Sequence, residues 1–383
     1  MVNPKRLVVG VTVGMSADLL LRGQLGWFRE QGWDVTLIST PDEQAHRAAA
    51  REQVALHGIP MARGISPVGD LKGLIAWVKA LRSIRPAAVN VGTPKAALLG
   101  SIAAWLLRVP KRLYTVRGLR LEGASGILGK VLWLMEWATM RAATDVLFVS
   151  NSLADEARKR RLPVKGKLRL IGQGSSNGVD AEAIQARVAQ VDRNHLRATL
   201  GLDDGDFAVG FVGRINPDKG TDVILRACRN DELAEDVKFL MIGSFEDPEL
   251  RPELESAAGR VHHVDWTDDV WGHLAAMDAL CLPTLREGFP NVVLEAGAAG
   301  LPVVATAATG AVDSVVEGRT GHLIPIGDDK ALVERLNHLA GNRSLADALG
   351  AAGRQRVEEH FRQEQIWEGI QEILATTETK DVK

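Results

Sequence analysis

Cysteine is nearly missing from this 383-residue sequence: only Cys228 and Cys281 occur, each inside an apolar run. Two such thiols argue against a disulfide framework and fit a reducing cytoplasm. No uninterrupted apolar run approaches the roughly 20 residues that span a bilayer. No amino-terminal signal peptide is visible either, because Lys5-Arg6 precede only a short apolar strand. Internal repeats and low-complexity stretches are also missing. So is a dinucleotide fingerprint. Gly10 and Gly14 do not give G-x-G-x-x-G, and Gly172-x-Gly174-x-x-x-Gly178 misses that spacing by one residue. Its absence weighs against a nicotinamide-dependent oxidoreductase.

What is present is an ordinary folded composition, 46% apolar and 25% charged, at a length that suggests two domains. The net charge of −2 hides a split. Residues 1–190 carry 27 Lys+Arg against 14 Asp+Glu, a balance of +13, while the remainder carries 19 against 34, a balance of −15. Such halves attract one another, or present the basic surface to an anionic membrane or a phosphorylated acceptor. Nucleic acid fits poorly, since the basic residues are dispersed and no recognition motif accompanies them. Nothing in the sequence points to a protein partner.

Strand and helix patterns alternate along both halves. Arg6 to Val13, Trp33 to Ile38, Ala88 to Val91, Arg112 to Val116 and Asp145 to Val149 read as strands with helices between, as in a doubly wound sheet. The glycine-rich stretch Gly172–Gly178 reads as the hinge. A second set follows at Phe207–Gly213, Lys238–Gly243, Ala279–Pro283 and Pro302–Thr306. The tail is expected to form a helix that packs back on the first domain through Phe361, Ile366, Trp367, Ile370 and Ile373. The expected domains are therefore 1–180 with about 355–383, and 181–354. Two helices carry apolar stripes. Leu71, Leu74, Ile75, Val78 and Leu81 are expected to dock on the sheet. Gly126 to Trp137, apolar nearly all round, reads as a core helix, with an interfacial helix as the alternative.

Two motifs carry chemistry. Gly213-Arg214-Ile215-Asn216-Pro217-Asp218-Lys219-Gly220 follows the first strand of the second domain. Arg214 and Lys219 form a cationic pair suited to a diphosphate, and the same residues also make a good solvated turn. Glu287-Gly288-Phe289-Pro290-Asn291-Val292-Val293-Leu294-Glu295 sets two carboxylates eight positions apart, one in a strand-end loop and one on the following helix. A carboxylate accepts two hydrogen bonds from a vicinal diol. Gly288 lets a ligand approach the backbone, and the amides of Asn291 and Val292 at the helix start could receive phosphate oxygens. Asp204-Gly205-Asp206 has the spacing of a metal-binding D-x-D but lies at the amino end of its strand and reads as a turn. His262 and His263 face opposite ways on a strand and make poor joint ligands. His322 reads as structural.

Residues 210–220 and 283–306, with Gly243-Ser244 and Thr309 to Ser314, resemble the family 4 retaining glycosyltransferases of GT-B fold. The resemblance covers most of the chain and implies an α/β GT-B architecture, two Rossmann-like domains facing a central cleft. It implies a hexosyltransferase that moves a hexose or N-acetylhexosamine from a nucleotide sugar, UDP-linked more often than GDP-linked, without a metal or other cofactor. Arg214 and Lys219 would bind the diphosphate, Glu287 the sugar hydroxyls and Glu295 the ribose. Gly213, Gly243, Trp266, Gly288, Phe289, Asn291 and Val292 would line the rest of the donor site, with Gly14 and Ser16 contributed by the first domain. Gly92 to Lys95 and Tyr114 to Gly118 resemble the acceptor side of enzymes that build capsule, O-antigen or other lipid-linked bacterial glycans. Lys95, Arg117 and Arg120 would meet that acceptor, a polyprenyl-diphosphate saccharide, at the inner face of the membrane. A small soluble acceptor and a catalytically silent sugar-nucleotide-binding protein are the alternatives. One departure stands out: Arg117 occupies a position where many members carry a His. Arginine cannot act as a base, but it can hold a phosphate.

Overall fold

The structure, a computed structural model, describes residues 5–62, 64–247, 249–257 and 259–376. The chain divides into two compact units, Met1–Asn177 with Gln363–Lys383, and Gly178–Arg362. The seam thus falls inside the glycine-rich stretch. The return falls at Arg362/Gln363, several residues later than expected, because the helix Arg343–His360 packs within the second unit. There Phe361 packs against Phe289 in a tilted pair with ring centroids 5.5 Å apart. The expected apolar stripe of the tail accordingly loses its first member. Ile366, Trp367 and Ile370, joined by Leu374, are the residues that the helix Gln363–Ala375 buries in the first unit.

The first unit holds seven parallel strands: β1 (Lys5–Gly10), β2 (Trp33–Ser39), β3 (Ala55–Gly58), β4 (Ala88–Val91), β5 (Lys111–Val116), β6 (Asp145–Phe148) and β7 (Leu168–Arg169). Their order is β3-β2-β1-β4-β5-β6-β7. The second unit holds six: β8 (Phe207–Val212), β9 (Val237–Ile242), β10 (Val261–Val264), β11 (Ala279–Leu282), β12 (Val303–Thr306) and β13 (Gly321–Ile324). Their order is β10-β9-β8-β11-β12-β13, again all parallel. Each sheet reverses its winding direction once, between β1 and β4 and between β8 and β11. At such a switch point the flanking loops leave in opposite directions and open a crevice at the strands' carboxyl ends.

Covered on both faces, the central strands are almost wholly buried, which is why they read as apolar runs. In the first unit Leu7, Val9 and Val11 pack with Leu21, Leu25, Phe28 and the tail's Ile366 and Ile370. The segment expected to be one helix over 17–31 is two, Gly14–Leu20 and Gln24–Glu30. Buried Glu52 explains the break: its carboxylate accepts from the amides of Gly23 and Gly26, each at 3.0 Å, and so starts the second helix. Asn177 fastens the tail, accepting from Trp367 Nε1 at 2.7 Å and Gln24 Nε2 at 3.0 Å while donating to the Arg22 carbonyl.

Both helix-face expectations in the first unit need correction. On Pro67–Ile84 the inward residues are Gly73, Trp77, Ala80 and Leu81, while Leu71 and Ile75 are exposed. Trp77, fully buried and bonded to Met61 Sδ, takes the space beneath the helix and turns the Leu71 stripe outward. On Gly126–Ala142 the inward residues are Leu132, Glu136, Thr139 and Met140. The helix's other large apolar residues Ile127, Leu128, Val131, Leu134 and Trp137 face solvent.

Glu136 is the one carboxylate on that inward face, and it accepts from Tyr114 Oη at 2.9 Å. Desolvation pushes its pKa up to about 7, against the opposing pull of the Tyr114 hydrogen bond. The same burial, with Glu136 beside it, raises Tyr114 well above 10, so the phenol stays neutral. Between about pH 4.5 and about 7 the folded chain therefore keeps a proton that the unfolded chain releases, and stability falls across that window. The loss is complete above about 7 and amounts to about 3 kcal/mol. Glu136→Gln should flatten this dependence: urea unfolding at about pH 5 and about pH 8 should show wild type losing stability between the two while the variant does not. Parallel curves would assign the effect to other groups.

Candidate functional site

The loops that leave β8 and β11 flank the switch point of the second sheet. After β8 the chain makes a 3-10 turn, Pro217–Lys219, started by Asn216, whose Oδ1 accepts from the Lys219 amide at 3.0 Å. This is the turn chemistry expected of Asn-Pro-Asp-Lys-Gly, and it fixes where Lys219 points. The ammonium donates to Glu287 Oε1 at 2.5 Å, with both side chains largely buried. Arg214 Nη1 and Asn216 Nδ2 both donate to Glu246 Oε2, at 2.5 and 2.8 Å. The Arg214–Glu246 pair is about half exposed, 56% and 41% for the two side chains, so solvent screens it. Pairs of that kind contribute about 0–1 kcal/mol and exchange readily for another anion.

Three loops are sewn together beneath these groups. Thr284 Oγ1 lies 3.1 Å from the carbonyls of Asp218 and Arg286. The Leu285 amide also donates to Asp218 O, and Arg286 Nη2 pairs with the Asp218 carboxylate at 2.7 Å. From β12, Thr306 Oγ1 donates to Thr284 O at 2.5 Å, and Thr309 O receives the Glu287 amide at 2.8 Å. Gly310 closes the arrangement. Its φ is +77°, and a Cβ there would lie 2.4 Å from the carbonyls of both Glu287 and Gly288. A side chain at 310 would therefore push the Glu287 loop out of place.

The structure thus brings Arg214, Lys219 and Glu287 to adjacent strand ends. Gly213 and Gly243 sit at the ends of neighbouring β8 and β9, where the Gly213 amide donates to Ile242 O. Trp266, 56% exposed, follows β10. Its amide and the Ser244 hydroxyl both donate to Asp265 Oδ1, at 2.9 and 2.8 Å. Those bonds, Ser244 first, hold the Asp265 carboxyl below its ordinary range. Gly288 is buried in the loop. Asn291 opens the helix Asn291–Ala299, and Val292 and Glu295 share its partly exposed face. The first amides of such a helix have no partner inside it. Phe289 differs from expectation: its ring is buried against Phe361, so it can shape the loop but does not present a face to a ligand. His263 Nε2 bonds Gly243 O at 2.9 Å, and His322 is buried beside Glu317. The Asp203–Asp206 segment closes on itself as a turn at the amino end of β8, away from these loops.

At the switch point of the first sheet, Thr12 and Thr93 tie the loops after β1 and β4, with their hydroxyls 2.7 Å apart. Gly14 is buried and gives its amide to Asp42, and Ser16 is partly exposed on the short helix that follows. Lys95 departs from the expected acceptor role. It is 4% exposed, its ammonium 2.5 Å from Asp70 Oδ1 and 2.7 Å from the Gly64 carbonyl, so it braces the helix Pro67–Ile84 from inside. Arg120 is exposed on a 3-10 turn.

Arg117, at the end of β5, is the unusual cation. Nε donates to Ser176 Oγ at 2.7 Å, and the guanidinium lies against Gly92, where a Cβ would fall 2.2 Å from Nη1. Among the described residues no carboxylate pairs with it. Dense surroundings lower its pKa to about 10, by desolvation, which still leaves it charged at neutral pH.

Sequence reasoning reached the strand-end cations and Glu287 but not Thr284, Asp218 or Thr306, which hold them. Their signal was weak, since a threonine after a strand has many uses.

Strand-end cations beside a largely buried carboxylate, on one of two Rossmann-like units, form a site able to hold an anionic, hydroxyl-bearing ligand, as the two-Rossmann-unit transferases do. Comparison agrees: residues 21–174 match the family described as "Glycosyl transferase 4-like domain" and residues 206–342 match "Glycosyl transferases group 1". The chain belongs to this glycosyltransferase family. It is 36% identical over 372 residues to the capsular polysaccharide biosynthesis glycosyltransferase CapM of Staphylococcus aureus, covering 96% of each chain. It is 28% identical over 297 residues, 74% of each, to the Escherichia coli UDP-Gal:alpha-D-GlcNAc-diphosphoundecaprenol alpha-1,3-galactosyltransferase. The fold matches the crystal structure of Anabaena HepE in complex with UDP-glucose at a TM-score of 0.81, with 20% identity over 97% of this chain and 99% of the other.

Thr284→Val removes the hydroxyl that joins the Asp218 and Arg286 carbonyls while keeping the shape of the side chain. We expect a loss of about 1–3 kcal/mol in stability and a drop of about tenfold or more in nucleotide affinity, read by calorimetric titration. Unchanged affinity with lowered stability would mean that the loop tie does not serve the ligand.

Proposed function

We propose that this glycosyltransferase moves a hexosyl or N-acetylhexosaminyl unit from a UDP-linked sugar to a lipid-linked diphosphate saccharide, with retention at the sugar carbon, in the synthesis of a bacterial surface polysaccharide. The observation that carries this reading is the Lys219–Glu287 pair beside Arg214 at the second switch point. Two cations suit a diphosphate, and the adjoining carboxylate suits sugar hydroxyls. The relatives, named for capsule synthesis and for a UDP-galactose donor with a diphosphoundecaprenol acceptor, support the choice of pathway and substrates.

In this reading the incoming diphosphate draws Arg214 from Glu246 and shares Lys219 with Glu287. The bond from the sugar's anomeric carbon to the β-phosphate oxygen then breaks, and its electron pair leaves on UDP. Arg214, Lys219 and the amides at the start of Asn291–Ala299 stabilise the charge that builds there. The acceptor oxygen bonds to the same face of the anomeric carbon, and its proton passes to a phosphate oxygen of the leaving group. Glu287 orients the sugar and is not the nucleophile, in contrast to many retaining glycosidases. Glu295 would hold the ribose. Arg117, which has no carboxylate partner among the described residues, would hold an anionic oxygen of the acceptor.

One kinetic series tests these roles. Arg214→Ala and Glu287→Ala should each lower kcat/KM for transfer from UDP-sugar by about a hundredfold or more. Arg117→Ala should raise KM for a diphosphate-linked acceptor, with nucleotide binding unchanged. Turnover within about twofold of wild type for the first two variants would refute the donor assignment.

A further inference from the structure

The first unit exposes apolar side chains in one region to an extent that folded surfaces rarely do. On the helix Pro67–Ile84, Val68 is 70% exposed and Leu71 60%, with Ile75 beside them. On Gly126–Ala142, Ile127 is 82% exposed, and Val131, Leu134 and Trp137 continue the stripe at helical spacing. Both helices pack on Pro94–Leu106, which lies between them, so they cover the same face of the sheet. Parallel strands require each connecting helix to run back from a strand's carboxyl end. The most exposed residues, in the first turns of both helices, therefore lie at the strand end that carries Arg117.

The charge of this region points to what covers it. Residues 65–142 hold 12 Lys+Arg and 3 Asp+Glu, a balance of +9. Of the three acids, Glu136 faces inward and Asp70 is paired with Lys95. Lys72, Lys79, Arg82, Lys130 and Arg141 are exposed and form no ion pair among the described residues. Apolar stripes rimmed by unpaired cations match the chemistry of helices that lie in the plane of an anionic bilayer, with aliphatic groups and Trp among the headgroups and cations at the phosphates. Among the described residues no helix is long and apolar enough to cross a membrane.

We propose that the outward faces of Pro67–Ile84 and Gly126–Ala142 dock on an anionic lipid bilayer. This deepens the proposed function. The second helix starts nine residues after Arg117, so docking would deliver the diphosphate of a lipid-linked acceptor close to that guanidinium. Membrane binding does not depend on the transfer reaction, so it can be read separately.

The test is flotation of the full chain with phosphatidylglycerol–phosphatidylcholine vesicles and with pure phosphatidylcholine vesicles, at low and high salt. Wild type should float with the anionic vesicles, and less so at high salt. A combined Ile127→Ser, Leu134→Ser variant, both exposed positions, should keep the wild-type melting temperature and bind about tenfold or more weakly. Lys79→Glu with Lys130→Glu should weaken binding to anionic vesicles specifically. The proposal is overturned by no flotation of wild type, or by variants that float as wild type does. It is also overturned if wild type does not float but forms a dimer that Ile127→Ser, Leu134→Ser dissolves in sedimentation, since the face would then serve a second copy.

Discussion

Thr284 holds together the part of the second unit on which everything else proposed here rests. Its hydroxyl reaches the carbonyls of Asp218 and Arg286, and its own carbonyl takes the hydroxyl of Thr306. Three loops from β8, β11 and β12 are thereby joined through two threonine side chains that are themselves buried. A buried polar network in which each member is satisfied is rigid, because any displacement leaves an unpaired group in low dielectric. That base is what lets Lys219 and Glu287 meet at one distance, as the proposed contacts to a diphosphate and a sugar require. The charged groups range from half-exposed Arg214 to largely buried Lys219 and Glu287, and the loops that carry them are joined by threonines whose hydroxyls are engaged within the chain.

The two units handle positive charge differently. In the second, Arg214 and Lys219 each have a carboxylate partner, Glu246 and Glu287. Such cations are kept in place and can be handed to an incoming anion. In the first, Lys95 is neutralised internally by Asp70, while Arg117 stays charged and desolvated, bonded to Ser176 but to no carboxylate among the described residues. A desolvated guanidinium without a counter-charge costs stability, and that cost is the physical argument for the proposed anion contact. The outward apolar residues of Leu71 and Ile127 make the same argument for a bilayer: exposure that folding alone does not explain.

Much of the architecture was legible because buried parallel strands are apolar throughout. β1, β8, β11 and β12 could be placed within a residue or two at most ends. β3 and β7 could not, since β3 is partly exposed and β7 has two residues. Periodicity showed that Leu71, Leu74, Ile75 and Val78 share a helix face but not which way that face turns. Trp77, between them in sequence, decided it by volume. The same limit applied to Lys95 and Phe289, whose chemistry suggested ligand contact and whose surroundings turned them inward. The strand-end placement of Arg214, Lys219 and Glu287 was legible because turn-forming residues follow the strands there. The Asn-Pro-Asp-Lys-Gly turn is both a turn and the mount for a cation.

If the joined loops after β8 and β11 hold a nucleotide diphosphate, as proposed, amide hydrogen exchange of the full chain should respond to UDP there. Slowed exchange is expected to concentrate in residues 213–220 and 283–292. Protection absent from both segments in the presence of saturating UDP, or confined to Met1–Asn177, would contradict that proposal.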